Sequence, residues 1–152
     1  MTKSNGTVKN KLDCDGTYGF SSFVARNVCL SSGKYYYEAT LGGDAIAQIG
    51  WATNDFKADP DNSNGVGDDA AGESWSYDAN RCLRWSSNRS VPYSTPHWRT
   101  GDTVGCLLNL DKREMRFSLN GQILEKAFEG FSVSLGLTPA CSLCMNDSCF
   151  FY

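Results

Sequence analysis

The sequence predicts an all-β sandwich, and three observations carry that expectation. Short runs with period-two alternation recur along the chain, turn residues separate them roughly every 8 to 12 positions, and no window of a dozen residues keeps an i, i+3, i+4 apolar stripe free of Gly or Pro. Strand after strand joined by tight turns favours antiparallel sheets over a parallel sheet with helical crossovers.

Gly33 opens the first clear strand, in which Tyr35, Tyr37 and Ala39 share one face and Tyr36, Glu38 and Thr40 the other. Residues 45–52 follow the Gly42-Gly43-Asp44 turn, with Ile49 and Trp51 on one side and Gln48 and Gly50 on the other, and the two runs are expected to form a hairpin. Residues 54–72 hold Pro60, several Asp and Asn residues and three Gly, too many breakers for an element, so they are expected to run over the surface as a long loop. Val104, Cys106, Leu108 and Leu110 then share a face. Beyond Asp111-Lys112-Arg113, the residues Met115, Phe117 and Leu119 alternate with Glu114, Arg116 and Ser118, the clearest hairpin in the chain. Asn120-Gly121 supplies positive φ for the turn into 122–124, and runs 137–143 and 148–152 close the set.

The 152 residues fit one domain, with 15 glycines and 12% aromatics suiting short strands and turns. A formal net charge of -3 with scattered Lys and Arg gives no basic face, so nucleic acid is disfavoured as a partner. No run of about 18 apolar residues exists and the first ten residues lack an apolar secretory core, so no membrane partner is expected. A soluble, monomeric, cytoplasmic chain is expected, with the nucleus also open to it. Seven cysteines, an odd number, are expected to be reduced thiols.

Chemistry-bearing residues are sparse. Cys141-x-x-Cys144 with Cys149 has the beginnings of a zinc site, but positions 141 and 144 point to opposite faces of a strand and no second ligand pair stands near. No metal or cofactor is expected. His97 is the single histidine, placed in Pro96-His97-Trp98-Arg99 ahead of a Gly101-Asp102 turn, a strand lead-in rather than a cleft. No catalytic set is therefore expected, and a hydrolase using Asp68, Asp69 or His97 is the weakest of three readings. Asp59, Asp61, Asn62, Asn64, Asp68 and Asp69 crowd oxygen ligands into one loop. Counted from Asp59, position six is Asn64 and position twelve Ala70, so the helix-loop-helix calcium pattern is absent. That leaves open a loop held by Asx-turns, a lectin-like site for sugar or calcium, and attraction of a basic partner segment. Trp51 and Trp75 are expected in the core, and Trp85 and Tyr93 partly exposed. Arg81, Arg84, Arg89 and Arg99 give their region a local positive character suited to an acidic stretch.

Ordered motifs then carry a resemblance. Gly33-Lys34-Tyr35-Tyr36-Tyr37-Glu38, Ile49-Gly50-Trp51-Ala52-Thr53, Gly65-Val66-Gly67-Asp68-Asp69 and Ser74-Trp75-Ser76-Tyr77-Asp78 come first. Gly101-Asp102-Thr103-Val104-Gly105-Cys106, Leu110-Asp111, Phe117-Ser118-Leu119-Asn120-Gly121, Ala127-Phe128 and Leu137-Thr138-Pro139-Ala140 follow. In this order and spacing, over about residues 16–152, they resemble the SPRY domain family, most closely the SPRY domains embedded in large ubiquitin ligases. The resemblance implies a bent sandwich of two antiparallel sheets in a concanavalin-like jelly roll. Loops at one end would capture a short peptide or a protein surface, and any ligase activity would belong to other parts of a parent protein. Carried over by motif, the partner-binding candidates are Tyr18, Arg26, Asp44, Ala45, Asn64, Asp68, Asp69, Ala70, Met145 and Asn146. Met145-Asn146 stands where the peptide-capturing branch commonly has an aromatic followed by Gly. The expected division is a segment or linker at 1–13 and a sandwich at 14–152. The apolar run Cys149-Phe150-Phe151-Tyr152 at the end of the chain suggests a domain excised from a larger protein.

Overall fold

Alternating side chains need two faces to be useful, and the chain supplies them as two sheets packed on each other. The computed structural model describes the backbone of residues 10–14 and residues 19–94, 96–132, 134–144 and 147–152. Among these, twelve strands follow in chain order: β1 (Asn10–Cys14), β2 (Phe20–Val24), β3 (Lys34–Leu41), β4 (Ala47–Thr53), β5 (Ser74–Asp78), β6 (Leu83–Ser86), β7 (Arg89–Pro92), β8 (Thr103–Asn109), β9 (Glu114–Leu119), β10 (Gln122–Glu129), β11 (Leu137–Cys144) and β12 (Asp147–Phe151). They form two six-stranded antiparallel sheets, β1-β12-β3-β8-β9-β10 and β2-β11-β4-β5-β6-β7.

The inner faces meet in one core. Tyr37, Ala39 and Leu41 of β3, Val104, Cys106 and Leu108 of β8, and Met115, Phe117 and Leu119 of β9 face Ile49 and Trp51 of β4 and Trp75 and Tyr77 of β5. Tyr37 and Trp51 meet edge to face at 5.0 Å, and Tyr77 lies 5.4 Å from Phe117, contacts worth about 0.5–1.5 kcal/mol each beyond area burial. The Tyr37 hydroxyl is not stranded in this apolar layer, because it donates to the Gly50 carbonyl at 2.6 Å. The β8–β9 and β9–β10 hairpins form as the turn chemistry predicts, the latter with Asn120 at φ 50 and Gly121 at φ 80.

Two expectations change. Residues 34–41 and 45–52 are not a hairpin: β3 pairs with β8 and β12 in one sheet, β4 with β11 and β5 in the other. The Gly42-Gly43-Asp44 link crosses between sheets, and its glycines serve a close approach to β12. The Gly42 N–H donates to the Ser148 carbonyl at 2.7 Å, and a Cβ at Gly42 would lie 2.9 Å from that oxygen. The long loop after β4 does not stay on the surface, because residues 65–68 are buried against the outer face of the second sheet. As a result β4 is buried along its whole length on both faces, Gln48 and Ala52 included. At the other sheet's edge, β1 is paired along β12, from Asn10 opposite Phe151 to Cys14 opposite Asp147.

Candidate binding surface

Serine residues on the outward side of the second sheet explain how a polar loop is held there. The Val66 N–H donates to Ser142 Oγ at 2.8 Å, and the Val66 carbonyl accepts from Ser76 Oγ at 2.7 Å. The Gly67 N–H donates to Ser74 Oγ at 2.6 Å, and the Gly67 carbonyl accepts from the Asn88 N–H at 3.1 Å. Short hydroxyls on β5 and β11 thus do for the loop backbone what a neighbouring strand would do, and the buried peptide groups are satisfied. Gly67 is required at this approach, since its φ is +94° and a Cβ would lie 2.6 Å from Trp85 Cβ.

The two motif aspartates take part in the same anchoring. Asp68 Oδ2 accepts from Gln48 Nε2 at 2.8 Å and from the Gly65 N–H at 3.2 Å. Its Oδ1 and the Gln48 Oε1 are buried without a hydrogen-bond partner among the described residues. Burial pushes the Asp68 carboxyl above its ordinary value, against the opposing pull of the Gln48 and Gly65 bonds. Asp69 accepts from the Glu73 N–H at 2.5 Å and from the Ser74 hydroxyl. Asp59 caps the short 3-10 turn at Pro60–Asn62, accepting from the Asn62 N–H at 3.3 Å and Nδ2 at 2.7 Å. Asp59 therefore bonds within its own loop, Asp69 bonds Glu73 and Ser74 at the start of β5, and Asp68 bonds Gly65 and Gln48 of β4. No three His, Cys, Asp or Glu side chains among the described residues group as a metal site.

Asn64, Asp68, Asp69 and Ala70 come together, lining a cleft of about 620 Å³ with Asp55 and Glu73, so the cleft is acidic. Asp44 and Ala45 lie elsewhere, in the β3–β4 link, where the Asp44 carbonyl accepts from Asn80 Nδ2 at 2.7 Å. That link sits beside the end of β11, whose Cys144 N–H donates to the Ile46 carbonyl at 3.3 Å. Burial raises the pKa of nearby Asp147, with the Asp44 charge adding to it. Arg26 stands apart: the neighbouring Ala25 N–H bonds the Pro139 carbonyl at 2.9 Å, near the start of β11, and the Arg26 side chain is exposed. Tyr18, Met145 and Asn146 lie outside the described residues.

His97 does have a sulfur neighbour, Cys82 Sγ at 3.5 Å from Nδ1. The same nitrogen is 2.6 Å from the Asn80 carbonyl, an acceptor, so Nδ1 carries a proton and cannot take one from the thiol. Burial also pushes the Cys82 thiol up, the opposite of activation. Sequence reasoning missed the β6–β7 hairpin. Its two-residue turn uses Ser87 at φ 53 and Asn88 at φ 55, without glycine, and only the Asn in a left-handed conformation offered a signal. Trp85 and Tyr93 are half-buried, and the Arg81 guanidinium lies 4.7 Å over the Trp85 ring while bonding Asp78 at 2.5 Å.

A family model described as the SPRY domain matches residues 34–152. Among curated proteins, the E3 ubiquitin-protein ligase RKP of Arabidopsis thaliana is 35% identical over 145 residues, which are 93% of this chain and 11% of that protein. The chain thus spans a small part of the curated relative it matches. No helix among the described residues is long and apolar enough to cross a membrane.

Proposed function

Because the chain belongs to the SPRY domain family, a family of binding domains, we propose that it captures a short peptide or a face of another protein through its connecting loops. In this reading it brings that partner to a larger ubiquitin ligase whose chemistry resides elsewhere, in the cytoplasm or nucleus. The observation that carries it is the stitching of the long loop to β5 and β11 through Ser74, Ser76 and Ser142. A loop fixed to a rigid sheet presents its side chains without a large ordering cost on binding. Asp68 and Asp69 shape that loop, and Asn64 and Ala70 face the partner from it. Asp44 and Ala45 extend the surface to the β3–β4 link, and Arg26 completes it together with Tyr18, Met145 and Asn146, which the family motifs nominate and which lie outside the described residues. A peptide held in so shallow a site binds with a micromolar dissociation constant, about -8 kcal/mol.

The test is selective capture from a cell extract by the immobilised chain, compared with Ala70→Arg and Asp44→Arg variants of unchanged melting temperature. Both positions are exposed, so neither change disturbs the core. One protein enriched by the wild type and lost from the variants supports the loop surface. Equal capture by all three removes it.

A further inference from the structure

Each sheet ends in an open strand on the same side of the sandwich, β10 in the first and β7 in the second. Between them lies a cleft of about 650 Å³ with an apolar floor formed by Trp75, Phe128, Phe131 and Val91, the last 45% exposed. Its wall carries Arg84 and Arg89. The Arg84 guanidinium rests 5.5 Å from the Phe128 ring and 6.0 Å from that of Tyr93. Neither Arg84 nor Arg89 has a carboxylate within ion-pair distance among the described residues. Lys126, by contrast, is neutralised by Glu129 at 2.5 Å and Glu114 at 3.3 Å. Two uncompensated guanidiniums therefore line this cleft, Arg84 over aromatic rings and Arg89 beside it, in a chain whose formal net charge is -3.

Backbone pairing with another strand is a poor use of this cleft. Pro92 removes a donor from β7, and β10 shifts register between Ile123 and Lys126 and again between Lys126 and Phe128. Both features blunt an edge against sheet extension. Recognition there falls to the side chains. We propose that the cleft is a second binding site, for an acidic peptide segment carrying an aromatic residue among its carboxylates. The carboxylates pair with Arg84 and Arg89, for which the planar guanidinium fork is suited, and the ring covers Val91 and Phe131. This site is separate from the loop surface and does not rest on it.

A fluorescein-labelled Glu-Asp-Phe-Asp-Glu peptide, read by anisotropy against the 152-residue chain, tests the proposal alongside a counterpart with lysine at every acidic position. The acidic peptide is expected to bind and the lysine peptide not to. Affinity is expected to fall about tenfold or more in Arg89→Glu, and to weaken as salt shortens the screening length from about 10 Å to about 3 Å. Arg89 is exposed, so a melting curve suffices to show that the variant is folded; Arg84→Gln provides a second reading. Absence of binding by the acidic peptide, equal binding of both peptides, or equal affinity in wild type and Arg89→Glu overturns the proposal. So does Arg89-dependent self-association in sedimentation without peptide binding, which would assign the cleft to a second copy of the chain.

Discussion

Replacing Asp68 with asparagine keeps the shape of a side chain that is 9% exposed and removes its charge. In the wild type, two donors converge on Oδ2 while Oδ1 and the Gln48 Oε1 have none. Each orphaned buried acceptor costs about 1–3 kcal/mol. The amide oxygen of an asparagine keeps both received bonds, each weakened by about 1 kcal/mol for want of charge, and its NH2 group supplies a donor to a pair of residues that lack one. The balance favours the variant by about 1 kcal/mol, or about 2–4 °C in melting temperature for a chain of this size. The sign follows from burial, which raises the Asp68 pKa above 3.8, so the native state holds this proton more tightly than the unfolded chain does. Wild-type stability is then lowest above the native pKa, rises as pH falls through it and levels off below the unfolded value. The gap between Asp68→Asn and wild type is accordingly widest at neutral pH and closes on acidification. Calorimetric melts of both proteins between pH 7 and about pH 4 measure it. A variant that melts below wild type at neutral pH, or a gap indifferent to pH, would show that the carboxylate charge is held favourably and that the reasoning is wrong.

Gly67→Ala places a methyl 2.6 Å from Trp85 Cβ at a φ of +94°, so its urea midpoint is expected to fall by the equivalent of more than about 1 kcal/mol at unchanged slope; an unchanged midpoint would show that the loop can move away from β6. Tyr77 and Tyr93 are pushed by burial up to about 12, whereas unfolded tyrosine ionises near 10. The native state retains protons the unfolded chain releases, so stability drains away as pH climbs between about 10 and about 12. A rapid pH jump followed by tyrosinate absorbance should show Tyr77 and Tyr93 ionising only as the chain unfolds; their ionisation ahead of unfolding would contradict this.

Local pattern foretold much of this fold where local pattern is what decides it. The alternation through 104–119 and the Asn120-Gly121 turn read directly into β8, β9 and the start of β10, because neighbouring strands joined by a short turn have few other ways to pair. The β3–β4 link was misread because the same two alternating runs suit a hairpin or a crossing between sheets. What separates the outcomes is the contact of Gly42 and Gly43 with Ser148 and Asp147, about a hundred residues away in the chain. The outer face of β4 was likewise hidden. Gln48 and Gly50 read only as the side opposite Ile49 and Trp51, and it is the return of residues 65–68 that buries Gln48 beneath Asp68 and Gly65. Of the nominated binding residues, Asn64, Asp68, Asp69 and Ala70 share a cleft because one motif carries them. Arg26 and Asp44 end up near opposite ends of β11, a separation set by strand direction rather than by distance along the sequence.

Pairing of β1 with β12 sets Asn10 opposite Phe151, about 5 Å apart between Cα atoms. A polypeptide that enters this sandwich through β1 leaves it next door through β12, so the two ends of the sandwich nearly touch. Such a unit can be spliced into a surface turn of a larger chain with little strain on either side. The doorway also lies on the far side of the first sheet from β10, so a host attached there leaves the Arg84–Arg89 cleft facing away from it and open to approach.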